Sequence, residues 1–180
     1  MELRTHDVTL RAGRLTLRPL TDDDWEILYR WNSDPEVLNF TEGKGTEPYG
    51  SRTVRQIYTT VSQTAHCFII ELDGSPIGEC WLQQMNLERY QEHGHDVRRI
   101  DIMIGEKQLW GRGYGTAAIA RLVEFAFDIE RADALYACGV ASYNRRSLGA
   151  FRRVGFQVCA ERPREGSQDV EFDLRLDRPE

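Results

Sequence analysis

Gln108-Leu109-Trp110-Gly111-Arg112-Gly113-Tyr114-Gly115-Thr116 is the run on which the fold turns. Upstream, residues 99–104 alternate: Ile100, Ile102 and Ile104 fall on one side and Arg99, Asp101 and Met103 on the other, the period of a strand. Downstream, Ile119, Leu122, Val123 and Ala126 recur at helical spacing and predict a helix over 114–130. The run is thus a glycine-rich turn from a strand into a helix. Glycines let a backbone approach a ligand closely, and a helix start points unpaired N–H groups outward. Together they make an anion site suited to a pyrophosphate, to which Arg112 adds a fixed charge. A plain glycine turn that caps a helix uses the same residues. A Walker loop is excluded, because GxxxxGK followed by Ser or Thr is absent. A Rossmann fingerprint fits poorly: Thr116 stands where its third glycine belongs, and residues 106–110 make a long turn.

Outward from this run, the chain reads as one domain over 1–180, long enough to bury a core without disulfides or a structural metal. Its 29 acidic residues against 23 basic ones give a formal net charge of -6, which argues against coating nucleic acid and leaves a cationic ligand open. No stretch approaches the ~20 apolar residues of a membrane span. Residues 1–14 carry charges and no apolar segment, so no secretory signal is read there. Cys67, Cys80, Cys138 and Cys159 stand far apart with no CxxC pair. They read as free thiols in a reducing cytoplasm, and no metal site is expected, the His93/His95 pair included.

The remaining elements follow from period and punctuation. Residues 15–20 alternate and stop at Pro19. Thr21 caps a helix with the acidic first turn Asp22, Asp23, Asp24, and Ser33-Asp34-Pro35 breaks it. A loop over 42–50 precedes a helix over 51–62. Strands at 67–72 and 77–85 flank an Asp73-Gly74 hairpin turn, and 87–97 is a loop or short helix. A strand at 135–140, a helix at 144–154 that ends on Gly155, and strands at 156–160 and 170–176 complete a mixed α/β chain of the α+β kind.

Gln108-x-x-Gly111-x-Gly113 resembles the acyl-CoA pyrophosphate signature of the GCN5-related N-acetyltransferase (GNAT) family. Residues 99–105 look like that family's fourth strand. Asn144-x-x-Ser147-x-x-x-Phe151-x-x-x-Gly155-Phe156 is similar to its later helix, and residues 15–37 resemble the opening of ribosomal-protein N-terminal acetyltransferases and aminoglycoside 6′-N-acetyltransferases. The resemblance spans nearly the whole chain. It implies a central mixed, mostly antiparallel sheet, splayed in the middle and flanked by helices, with acetyl-CoA as co-substrate. The main chain of Ile102, Met103 and Ile104 would pair with the pantetheine arm. The amides of Trp110, Gly111, Arg112, Gly113, Tyr114 and Gly115 would take the pyrophosphate, with Gln108 and Thr116 beside them. Asn144, Ser147 and Phe151 would complete the coenzyme set, although Asn144 also suits a helix cap. Many members carry a Tyr at the place of Phe151 to protonate the thiolate, so that role is vacant or moved here, and Tyr143 reads as a surface residue.

Transfer from a thioester to an amine needs a neutral amine and a stabilised carbonyl oxygen. Amides around Met103 are expected to serve the oxygen. Asp101 is the first candidate to draw off the amine proton, with an ion pair to Arg99 or Arg98 as the competing role, and Glu79 is the second. For the acceptor, residues 21–47 hold eight acidic side chains (Asp22, Asp23, Asp24, Glu26, Asp34, Glu36, Glu42, Glu47) against Arg30 and Lys44. Residues 98–121 hold five basic ones (Arg98, Arg99, Lys107, Arg112, Arg121) against Asp101 and Glu106. The net charge thus reads as two opposed patches, a positive one for phosphates and a negative one for an amine. Trp31, Glu42, Glu47, Trp81 and Asp101 are the expected substrate contacts, with core packing the competing role for the tryptophans. The leading expectation is an N-acetyltransferase for a small polycationic amine, an aminoglycoside 6′-amine foremost. A protein N-terminal amine acetyltransferase and a non-catalytic acyl-CoA sensor are the alternatives, and a homodimer is left open.

Overall fold

Strand alternation is answered by burial on both sides. Cys67 and Ile69 pack into one apolar cluster, and their neighbours Phe68 and Ile70 into another, because helices cover both faces of the sheet. The computed structural model describes residues 1–164 and 168–179. Its strands are β1 (Leu10–Ala12), β2 (Leu15–Pro19), β3 (Ala65–Leu72), β4 (Ser75–Gln84), β5 (Val97–Ile104), β6 (Ala134–Ala141), β7 (Gln157–Pro163) and β8 (Val170–Asp177). They form one sheet in the order β1-β2-β3-β4-β5-β6-β8-β7, antiparallel except where β5 meets β6. The helices are α1 (Trp25–Asn32), α2 (Pro35–Thr41), α3 (Ser51–Val61), α4 (Tyr114–Glu124) and α5 (Arg145–Val154).

The two faces are distinct. Ala118, Ile119 and Leu122 of α4 and Leu148 and Phe151 of α5 pack against one face together with Ile100 and Leu82. Leu28 and Trp31 of α1, Val37 of α2 and Val54 and Tyr58 of α3 pack on the other with Ile69 and Met103. Each fully buried Leu or Ile among these contributes about 1.5–3 kcal/mol relative to exposure.

Several elements depart from the sequence reading. The Ser33-Asp34-Pro35 break restarts a helix: Asp34 Oδ1 accepts from the N–H of Glu36 (2.9 Å) and Val37 (3.4 Å), with Pro35 in the first turn, and this gives α2. The long helix over 114–130 is α-helical only to Glu124 and continues as a π turn, Phe125–Ile129. The acidic turn before α1 is more than a dipole feature. Asp24 is buried and forms a two-point ion pair with Arg18 (2.8 and 2.7 Å). Burial works against its charge, but Arg18 and the Thr21 N–H hold its carboxyl below the usual carboxylate range.

The feature that positions the site is a split in the sheet. β5 and β6 pair only at Val97↔Ala134, Arg98↔Leu135 and Arg99↔Tyr136, and then diverge.

Candidate active site

A cleft of about 460 Å³ opens at this split and runs between the two helical faces. The bonding of β5 decides what its wall offers. Met85 N–H donates to Val97 O (3.0 Å) and Gly105 N–H to Ile77 O (2.9 Å), one at each end of the β4–β5 pair. Antiparallel partners exchange bonds at alternate residues, so residues 97, 99, 101, 103 and 105 turn their main chain to β4. Residues 98, 100, 102 and 104 turn theirs toward β6. β6 follows only as far as Arg99, so Ile102 and Ile104 present main-chain groups to the gap. This corrects the expectation centred on Met103, whose amide is spent on Glu79 of β4. The Ile104 carbonyl is engaged by the Trp110 indole N–H (2.6 Å).

The glycine run closes one end of the cleft. Gly111 and Gly113 sit at φ +74° and +87°, which favour glycine, and a Cβ at either would meet nothing within 4 Å. Gly113 precedes the first residue of α4, so the N–H groups of Tyr114, Gly115 and Thr116 start a helix facing open space. Trp110, Gly111, Gly113, Tyr114, Gly115, Thr116, Asn144, Ser147 and Phe151 all line the cleft, as do Ile102, Met103 and Ile104. Two expected coenzyme contacts do not. Gln108 is exposed and donates to Glu106 Oε2 (3.0 Å), and Arg112, between two left-handed glycines, is exposed and outside the cleft lining.

Charge is arranged differently from the linear count. Arg98 pairs with Asp96 and Glu130, Arg99 with Asp101, Lys107 with Asp34 and Glu36, and Arg121 with Glu124. The expected positive patch over 98–121 is therefore largely neutralised, and the same pairs spend Asp34 and Glu36 of the expected negative patch. Arg145, Arg146 and Arg153 of α5 line the cleft instead. Sequence reasoning missed them because arginines on a helix ordinarily mark a solvated face. The Arg146 guanidinium lies 4.3 Å from the Trp110 ring centroid and 4.5 Å from that of Phe40. Asn144 does cap α5, with Oδ1 accepting from the Ser147 N–H (3.2 Å), and its Nδ2 donates to Phe40 O (3.1 Å).

At the other end, Glu79 and Trp81 of β4 and Asp101 and Met103 of β5 share the face toward α1–α3, in the register Glu79↔Met103 and Trp81↔Asp101. Asp101 Oδ2 accepts from Trp81 Nε1 (2.9 Å) and Arg99 Nε (2.8 Å), and Oδ1 accepts from Arg99 Nη2 (2.8 Å). Asp101 is thus ion-paired with Arg99, and it also lines the cleft. Three donors on a carboxylate with about four lone-pair sites leave one site open, on Oδ1.

Glu79 is buried, and its Oε2 has no hydrogen-bond partner. Burial first, then the neighbouring charge of Asp101, pushes its carboxyl well above the ordinary glutamate range, while Tyr58 acts in the opposite sense. Asn32 Nδ2 donates to the Tyr58 hydroxyl (3.0 Å) and to Leu28 O (2.8 Å), which orients that ring beneath Glu79. Glu42 also lines this end. Two expected substrate contacts are corrected. Trp31 is buried in the core: its ring covers Gly105, where a Cβ would come within 2.2 Å of it, and its indole donates to Glu106 (3.0 Å). Glu47 is exposed and outside the cleft lining. Cys138 lines the cleft, but burial pushes its thiol up to about 12, which makes it a poor nucleophile.

A family model described as "Acetyltransferase (GNAT) domain" matches residues 14–157. The chain belongs to the GNAT acetyltransferase family. This GNAT chain is 25% identical over 156 residues to an aminoglycoside N(6′)-acetyltransferase type 1 of Klebsiella pneumoniae, covering 83% of this chain and 77% of that one. Among solved structures, RimJ of Mycobacterium smegmatis in complex with CoA-disulfide superposes with a TM-score of 0.78 at 19% identity, covering 97% and 90%. Aminoglycoside acetyltransferase AAC(6′)-Ib in complex with coenzyme A and kanamycin gives 0.75 at 20% identity, covering 91% and 95%. As a GNAT acetyltransferase the protein uses acetyl-CoA as co-substrate. The open space over Gly111 and Gly113, the unpaired edge of β5 and the arginines of α5 fit that group.

Proposed function

We propose that this enzyme acetylates a primary amine of a small polycationic acceptor, the 6′-amine of an aminoglycoside foremost. One observation carries the reading: Glu42, Glu79 and Asp101 gather at the acceptor end of the cleft, drawn from a loop and two strands. Carboxylates facing a cleft attract a polycation and raise its local concentration, Glu42 and Asp101 foremost, since burial disfavours charge on Glu79. The Klebsiella relative, named for that activity, supports the same class.

The thioester supplies the acyl group. The chain's own residues do the rest. Glycine-loop amides and the arginines of α5 hold phosphates, and the edge of β5 at Ile102 and Ile104 holds an extended arm as a further strand would. Asp101, held in place by Arg99 and Trp81, orients the incoming ammonium and takes its proton at Oδ1, directly or through water. Burial, and then the neighbouring charge of Asp101, favour the neutral form of Glu79, and an arriving cation acts in the opposite sense. The Phe151 ring, packed edge-on to Phe156 at 5.1 Å, brings no proton, so the thiolate departs on its own acidity.

The test is coenzyme A release with kanamycin-type aminoglycosides, with a panel of peptide amines and with no acceptor. Turnover with aminoglycosides above the other two is expected. Turnover confined to peptide N-termini would replace this reading by the protein-amine one. Tight acetyl-CoA binding with no turnover would leave a sensor.

A further inference from the structure

One buried carboxylate takes no part in the reading above. Asp173 of β8 is 1% exposed and lies behind β6, on the side away from β5. It sits where β6 breaks step with β8: Ala137 faces Leu174 and Val140 faces Phe172, so β6 spends one residue more than its partner. The result is a bulge at Cys138 and Gly139, with Gly139 at φ +70°. Asp173 Oδ1 accepts from the Gly139 N–H (2.8 Å) and from Arg162 Nη2 (2.9 Å). Oδ2 accepts from Arg162 Nη1 and the Tyr90 hydroxyl, with Arg89 at 3.6 Å. All four lone-pair sites of this buried carboxylate are therefore filled, one by the Gly139 amide and three by Arg162 and Tyr90, which fix the carboxylate that holds the amide.

That amide belongs to the cleft wall. Ala137, Cys138, Gly139 and Val140 all line it. The bulge begins two residues beyond Tyr136, the last point at which β6 pairs with β5. A bulge bends its strand and sharpens the local twist, so its position sets how β6 leaves β5.

We propose that Asp173 is a positioning residue for the coenzyme, pinning the β6 bulge and so setting the width of the channel in which the arm of acetyl-CoA lies. Arg162 and Tyr90 hold the pin, and Asp173 itself touches no ligand. The proposal rests on the coenzyme end of the cleft alone, so the identity of the acceptor does not enter its test.

The test compares Asp173→Ala with Asp173→Asn in the full chain, with coenzyme A affinity measured by calorimetry and amide exchange followed at Gly139. Asp173→Ala removes the acceptor of the half-buried Gly139 N–H. Coenzyme A should bind about tenfold more weakly, with faster Gly139 exchange. The KM for acetyl-CoA should rise with it, while kcat at saturation stays within about threefold. Asp173→Asn keeps a carbonyl oxygen for Gly139 and should restore affinity to within about threefold of the parent. Faster exchange at Gly139 with coenzyme A affinity unchanged would overturn the proposal, as would an Asn variant no better than Ala. If Asp173→Ala does not fold, Tyr90→Phe strips one donor from Oδ2 and is read the same way. Weaker coenzyme A binding supports the pin, and unchanged binding overturns it.

Discussion

The two ends of the cleft are built from different materials. The coenzyme end is mostly main chain: glycine-loop amides, the start of α4 and the unpaired edge of β5 at Ile102 and Ile104. The acceptor end is mostly side chain: Glu79 and Trp81 from β4, Asp101 from β5, Tyr58 from α3, Asn32 from α1 and Glu42 from a loop. Main chain can hold a co-substrate common to a family without dictating most side chains. Under the proposed function the acceptor is specified by side chains, which can change while the sheet stays as it is.

The largest effect should come from breaking the coenzyme end. Gly113→Asp places a carboxylate in open space at the helix start, where it clashes with no protein atom but repels a pyrophosphate. Coenzyme A affinity should fall by roughly 100-fold or more, beyond the about 1–3 kcal/mol of stability that a side chain at this left-handed position costs. A calorimetric titration matching the parent would remove the glycine run from the site. Next in size, Asp101→Asn tests the acceptor end: kcat should fall by about 100-fold or more, while the KM for acetyl-CoA stays within about threefold. Steady-state kinetics with a near-normal kcat would exclude Asp101 as the base.

The smallest effect sharpens the contrast through pH. The Glu79 carboxyl is raised in the folded protein, so between its ordinary value and its folded value the native state holds a proton that the unfolded chain has lost. The parent should therefore lose stability relative to Glu79→Gln as pH rises above the ordinary glutamate range, with a slope of up to about 1.4 kcal/mol per pH unit. Below that range both states are protonated and the two should converge. Parallel melting-temperature curves for the two proteins from pH 4 to 8 would show that Glu79 is charged in the fold.

Legibility followed the same division. The turn from β5 into α4 could be read from Gly111 and Gly113 because a positive φ and a helix start are local requirements. The split of the sheet was expected only through family resemblance, since no local pattern says where β6 leaves β5. Charge was the least legible quantity. Arg98, Arg99, Lys107 and Arg121 read as a phosphate patch, yet each finds a carboxylate, two of them far along the chain: Arg98 with Glu130, and Lys107 with Asp34 and Glu36. Trp31 looked like a pocket wall and became core, because α1 lays it over Gly105.

By itself the sequence determined most of the elements, β1 and α2 excepted, and the glycine turn, since strand period, helix period and backbone conformation depend on near neighbours. Tertiary structure alone decided which charges survive to face a ligand, which side of β5 is unpaired, and that Glu42, Glu79 and Asp101 meet. Those outcomes depend on burial and on distances between residues far apart in the chain. The three paired positions at the start of β6, for instance, leave Ile102 and Ile104 without a partner strand, and no short stretch of residues encodes them.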